Sequence, residues 1–295
     1  MWVRLATAAV AIPLLFALVF YAPKWGFYAL VFVATGVGCL ELFGMTHPKD
    51  KVAQALHTAT ALGVSFALFW FGSDAKVLIT IAALVPTVSM LVSLARLGEI
   101  ETAALRMTAG AFGPLYLLGL TLLSRVHIER GSDGPAYVLM ILAFAWGGDT
   151  GGYFAGRFLG KHKLYPAVSP KKTIEGAIGG LAGSVLGALG SCYFTLKSLP
   201  VMHGVILALV AGSLGQLGDL GESLLKRSTG VKDSGQIVPG HGGILDRVDA
   251  LLMAATVVYL YTQFFLGLSS RPWHPARASS TSRRSSRCCR IGTRW

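Results

Sequence analysis

The sequence predicts an all-α, polytopic integral membrane protein of about nine transmembrane helices, with its polar loops gathered on the cytoplasmic face. Three observations carry that expectation. Of the 295 residues, 53% are hydrophobic and 14% charged, against about 25% charged in an average soluble domain. The mean hydropathy is +0.60. The apolar residues also come in long runs, and a run of roughly 20 spans a bilayer as a helix.

Taken in order, the runs fall near 4–22, 26–46, 56–72, 77–95, 108–126, 136–158, 176–196, 200–222 and 248–268. The first has Arg4 before an apolar core, like a signal peptide, but it ends in "YAPKWG" rather than a small-residue cleavage site and reads as a retained helix. The second carries Glu41 near its end, expected to serve as a buried hydrogen-bonding group. The third to fifth are plain apolar spans. The sixth closes on "AWGGDTGGYFAGRF", which holds Asp149. In the seventh, "GAIGGLAGSVLGALG" spaces small residues so that helix backbones approach closely. The eighth ends in "GQLGDLGESLLKR", where Asp219, Glu222, Ser223 and Lys226 share one helical face. The ninth opens on Asp246 and Asp249, favoured there by the helix dipole.

The formal charge is +12, and its distribution is uneven. The N-terminus and the loops after even-numbered runs hold Arg4, Lys49, Lys51, Arg96, Arg106, Arg157, Lys161, Lys163, Lys171, Lys172, Lys226, Arg227, Lys232 and Arg247. The odd loops hold only Lys24, Lys76, Arg125, Arg130 and Lys197. The positive-inside rule therefore puts the even loops in the cytoplasm of a multi-pass protein of the cell membrane. The seven arginines after residue 270 fall on the other side in this scheme. Either the helix count is one off, or the tail does not set topology. That tail, 271–295, is Ser/Arg-rich with little to bury, and is expected to be disordered. The basic balance needs no nucleic acid; anionic lipids or an anionic substrate account for it. Cys39, Cys192, Cys288 and Cys289 show neither metal spacing nor a disulfide framework.

Two polar clusters carry chemistry. In "GRFLGKHKLYPAVSPKKTIEGAIGG", Ser169, Lys171, Lys172 and Thr173 precede a helix start. Free N–H groups, hydroxyls and two ammonium groups there make an anion site suited to phosphate. The second cluster is "KRSTGVKDSGQIVPGHGGILDRVD", 226–249, an abrupt polar stretch between apolar runs. Lys226, Arg227 and Lys232 supply cations, while Asp219, Asp246 and Asp249 supply hard oxygen donors that select magnesium or a similar ion. Carboxylates at membrane depth, Asp149 included, default to functional roles. "PGHGG" permits close backbone approach, and His241 is open to three roles: general acid, phosphate donor or turn stabiliser. Together the clusters describe a phosphoryl or nucleotidyl transfer site.

The run Ser223, Lys226, Arg227, Lys232, Asp233, Pro239, His241, Gly242, Gly243, Asp246, Arg247, Asp249 resembles the signature of the phosphatidate cytidylyltransferases. "DTGGYFAGRFLGKHKL" and "SPKKTIEG" are similar to that family's other segments, in the same order, with Gly152 where the family commonly has alanine. The likeness covers about 145–260 well, and 1–140 only by hydropathy. It implies an enzyme that joins CTP to phosphatidic acid, giving CDP-diacylglycerol and pyrophosphate. It also implies magnesium with a potassium-like second cation, Asp219 and Asp246 as metal ligands with Asp149 and Asp249 nearby, and a homodimer. Lys171, Lys172, Lys226 and Arg227 would hold phosphates, with the remaining signature residues around the substrates. The expected division is 1–107 N-terminal helices, 108–270 catalytic membrane domain and 271–295 tail. A prenol kinase using CTP, an ion-coupled transporter and a CDP-alcohol phosphotransferase are the rival readings. The complete 223–249 signature argues against the first, the second lacks inverted repeats and the third lacks its own paired motif.

Overall fold

Nine α-helices, two single-turn 3₁₀ helices (Ile100–Thr102 and Gly131–Asp133) and one short hairpin are the regular elements among the described residues of the computed structural model, which are 2–72, 74–235 and 242–266. The helices are α1 (Trp2–Phe20), α2 (Lys24–Thr46), α3 (Lys51–Phe71), α4 (Ala75–Ala95), α5 (Ala103–Glu129), α6 (Gly134–Phe158), α7 (Ile174–Phe194), α8 (Val201–Ser228) and α9 (Leu245–Phe264). Each expected run lies on one of them. His241, Pro239 and the tail lie outside the described residues. Among the described residues, six helical segments are long and apolar enough to cross a membrane: α2, α3, α4, Ile100–Glu129, α7 and α8.

Helix ends follow local chemistry. Asp50 caps α3 by accepting from the Ala53 N–H, and Thr173 caps α7 by accepting from the Gly176 N–H at 3.1 Å. The chain departs from all-α between α6 and α7. There β1 (Lys163–Tyr165) pairs antiparallel with β2 (Ser169–Thr173), with Lys163 opposite Thr173. The hairpin is tied to the first turn of α7, because the Glu175 carboxylate accepts from the Lys161 and His162 N–H groups and meets His162 Nδ1 at 2.7 Å.

The core runs between α2, α5, α6 and α9, through Leu42, Phe43, Leu117, Tyr137, Ile141, Leu245 and Leu252. The small-residue stripe of α7 packs against its counterpart on α6. A Cβ added at Gly151 would lie 2.3 Å from the Gly179 carbonyl, and one at Gly183 would lie 2.1 Å from the Gly147 carbonyl. Backbone meets backbone there, and only glycine fits. This pairing, the most extensive between two helices among the described residues, sets the wall of the site described next.

Candidate active site

α6, α7, α8, α9 and the hairpin enclose a cavity of about 540 Å³ at the end of the bundle that carries the even loops. Its polar rim holds Asp149 and Arg157 from α6, Lys171 and Lys172 from β2, and Gln216 and Asp219 from α8. Its floor is apolar or small, with Phe144, Ala211, Gly212 and Ala254. The two sequence clusters therefore meet: Lys172 Nζ stands 2.5 Å from Asp219 Oδ2. Asp149 feels the charges of Asp219, Lys172 and Arg247, and Asp249 those of Asp219 and Asp149, so three carboxylates share one neighbourhood.

A second polar node lies beside it, where α8 meets the start of α9. Asp246 Oδ1 accepts from Lys226 Nζ at 2.5 Å. Its Oδ2 accepts from the Ser234 N–H at 3.0 Å, the Ser234 hydroxyl at 2.9 Å and the Gly243 N–H at 3.0 Å. Glu222, buried one helical turn before Lys226, places Oε1 3.2 Å from the same ammonium group. Gly242 has φ +81°, the left-handed region where glycine carries no Cβ penalty. Its turn delivers the Gly243 N–H to the carboxylate. Glu41 lies under this node as a buried acceptor, as its position in an apolar run had suggested.

The remaining expected residues take varied places. Thr173 lines the cavity, but its hydroxyl oxygen is engaged in capping α7. Ser169 is half-buried at the far end of β2, and Ser223 is half-buried on α8. Arg227 is exposed and donates to the Val231 carbonyl at 3.3 Å, while Lys232, Asp233 and Arg247 are exposed. Sequence reasoning passed over Gln216, Arg157 and Ser234. Gln216 had a legible signal, an amide three residues before Asp219 in an otherwise apolar helix, and its Nε2 donates to the Ala177 carbonyl at 3.0 Å. Ser234 had none, because its partners come from segments far apart in sequence.

The chain's residues 2–265 match the model of the cytidylyltransferase family. It belongs to that family. It is similar to the phosphatidate cytidylyltransferase of Synechocystis sp., with 32% identity over 287 residues, which is 89% of this chain and 97% of that protein. It is also 49% identical over 124 residues to the phosphatidate cytidylyltransferase of Staphylococcus aureus, covering 42% of this chain and 48% of that protein. The enzyme of that name from Staphylococcus haemolyticus gives 49% over 121 residues, 41% of this chain and 46% of that protein.

Proposed function

We infer that the chain is a phosphatidate cytidylyltransferase of phospholipid biosynthesis, joining CTP and phosphatidic acid into CDP-diacylglycerol with release of pyrophosphate. The observation that carries this reading is the facing of lysines and carboxylates, Lys171 and Lys172 against Asp149 and Asp219, in one cavity of a membrane bundle. A phosphate oxygen of phosphatidic acid attacks the α-phosphorus of CTP. The bond from that phosphorus to the bridging oxygen breaks, and pyrophosphate leaves with the electron pair. The nucleophile is already an anion, so no general base is required. The obstacle is repulsion between two polyanions, and cationic side chains placed where charge accumulates offset it.

Magnesium fits the donor set. Asp219 and Asp246 each already hold a cation, the ammonium groups of Lys172 and Lys226. No group of three His, Cys, Asp or Glu side chains forms a ready cage among the described residues, and magnesium ordinarily takes one or two carboxylates plus phosphates and water. Asp219 and Asp246, with Asp149, would hold it, a potassium-like ion being the second cation. When bound, magnesium neutralises phosphate charge and polarises the reacting phosphorus. Lys171, Lys172, Lys226 and Arg227 would supply the cations that hold the phosphate oxygens. On the sequence signature, we assign Asp249, Ser169, Thr173, Ser223, Lys232, Asp233, Gly242, Gly243 and Arg247 to the surroundings of the substrates, together with His241, which lies outside the described residues.

The proposal includes nine membrane spans in the cell membrane, the even loops and site on the cytoplasmic side, contact with membrane lipids, and a homodimer, which light scattering of the detergent-solubilised protein tests. The reaction is tested with purified protein, CTP labelled in the cytidine, phosphatidic acid and magnesium, with and without EDTA. Label entering the lipid phase only when both phosphatidic acid and magnesium are present is the expected result. Transfer of the γ-phosphate to a prenol instead would overturn the reading in favour of a kinase.

A further inference from the structure

We propose that Glu41, on α2 and outside the sequence signature, is a positioning residue for the Asp246–Lys226 pair. The N-terminus of α9 exposes unsatisfied N–H donors, and its first residues provide no side-chain cap of their own. Glu41 supplies one from another helix. Its Oε1 accepts from the Ile244 N–H at 3.0 Å and its Oε2 from the Leu245 N–H at 2.9 Å. A carboxylate at this helix end makes charge-assisted hydrogen bonds and complements the dipole. Glu41 is 6% exposed, so water does not substitute for it.

The backbone is shaped around this carboxylate. A Cβ at Gly235 would lie 2.5 Å from Glu41 Oε1, and one at Gly243 would lie 2.5 Å from Oε2 and 2.1 Å from Ser234 Oγ. Both segments that pass over Glu41 are the ones whose N–H groups, from Ser234 and Gly243, fix Asp246 Oδ2. Ser234 Oγ sits between the two acids, 2.9 Å from Asp246 Oδ2 and 3.3 Å from Glu41 Oε2. With Oδ2 fixed by these donors, Oδ1 is left to aim at Lys226. Among the described residues no hydrogen bond or ion pair joins Glu41 to Asp246 or Lys226; it holds the two peptide segments that orient them.

The inference rests on the cytidylyl-transfer reading, and Glu41→Gln tests it. The carboxamide keeps the shape but sets an N–H₂ donor against one of the two backbone N–H groups. Expected are a fall in kcat on the order of 10²-fold, as for a misplaced reacting group, and a magnesium half-activation point raised by about fivefold or more. Amide hydrogen exchange should quicken at 243–246 while α3, α4 and α7 keep wild-type protection. Ser234→Ala should lose less turnover and leave exchange at 244 and 245 unchanged. Should Glu41→Gln not fold, Gly243→Ala, which displaces the carboxylate by its Cβ, must show the same local exchange and magnesium shift. Turnover, magnesium midpoint and exchange all within about twofold of wild type would overturn the proposal, and so would faster exchange spread evenly over every helix. If the wild-type protein transfers no cytidylyl group, the functional reading fails instead, and the exchange contrast still decides whether Glu41 holds the loop.

Discussion

Two acids at the site each stand on a lysine, Asp219 on Lys172 and Asp246 on Lys226, the latter shared with Glu222. Removing one carboxylate charge leaves an ammonium group unbalanced and takes away a hard oxygen donor. Asp219→Asn and Asp246→Asn should therefore each cut magnesium-dependent turnover by about a hundredfold. Retention of more than about a tenth of wild-type turnover by both would sink the metal assignment. Lys172→Ala should chiefly raise the KM for one phosphate substrate by about tenfold, measured by titrating CTP and phosphatidic acid separately. A different residue contributes to acid sensitivity. His47 follows α2 beside a cavity of about 640 Å³ that Asp50, Arg96 and Arg106 also line. Burial, His57 and Arg106 push its imidazole down to about 4. The unfolded imidazole binds a proton near pH 6.5, so on acidification the unfolded chain takes up the proton first, and His47 withdraws stability between about pH 6.5 and 4. His47→Gln should flatten the decline in melting temperature across that window, whereas an unchanged profile would show that other groups set it.

At the level of elements, the same sequence feature, glycine in an apolar helix, has opposite consequences at different positions. Gly183 faces the Gly147 carbonyl at 2.1 Å from where a Cβ would sit, while Gly190, two turns on, has no heavy atom within 4 Å. Gly183→Ala must force α6 and α7 apart, an overpacking cost of about 1–3 kcal/mol, and shift the lysines of β2 relative to Asp149. Gly190→Ala should be neutral or slightly stabilising, since alanine is the better helix former. Thermal unfolding in detergent with parallel assays checks the contrast; equal behaviour of the two would refute the close packing of α6 on α7. The existence and order of the helices were legible because apolar runs of spanning length leave little choice of structure. The hairpin was not, since the five residues of β2, four of them polar and one a proline, pair with three of β1 without any alternation to announce them. The two clusters of the site could be named from their residue types. Their meeting through Lys172 and Asp219, and the reach of α2 to α9 through Glu41, could not, because both depend on which helices are neighbours.

The whole molecule is polarised along its long axis. One end gathers the cavity, the Lys226–Asp246 node, the Arg96–Asp50 pair at 3.0 Å and the hairpin. The opposite end carries a smaller set: Arg125 donates to the Phe69 carbonyl and pairs with Glu129, to which Gln263 also donates. Those bonds tie α3, α5 and α9 together and have no cavity beside them among the residues lining the two described here. The active end should face the cytoplasm, because cationic residues are retained on that side during insertion and a nucleotide triphosphate is supplied there. Single-cysteine variants on a background without native cysteines test it. Lys49→Cys at the active end and Lys197→Cys at the other are both at exposed positions. A membrane-impermeant maleimide applied to intact cells should label position 197 and reach position 49 only after permeabilisation. The reverse pattern would invert the protein and separate the cavity from its nucleotide. Restoring only Cys288 and Cys289 then reports the crossings that follow position 49: an odd number, as the nine-span scheme requires, has the tail label from outside like position 197, and an even number has it label like position 49.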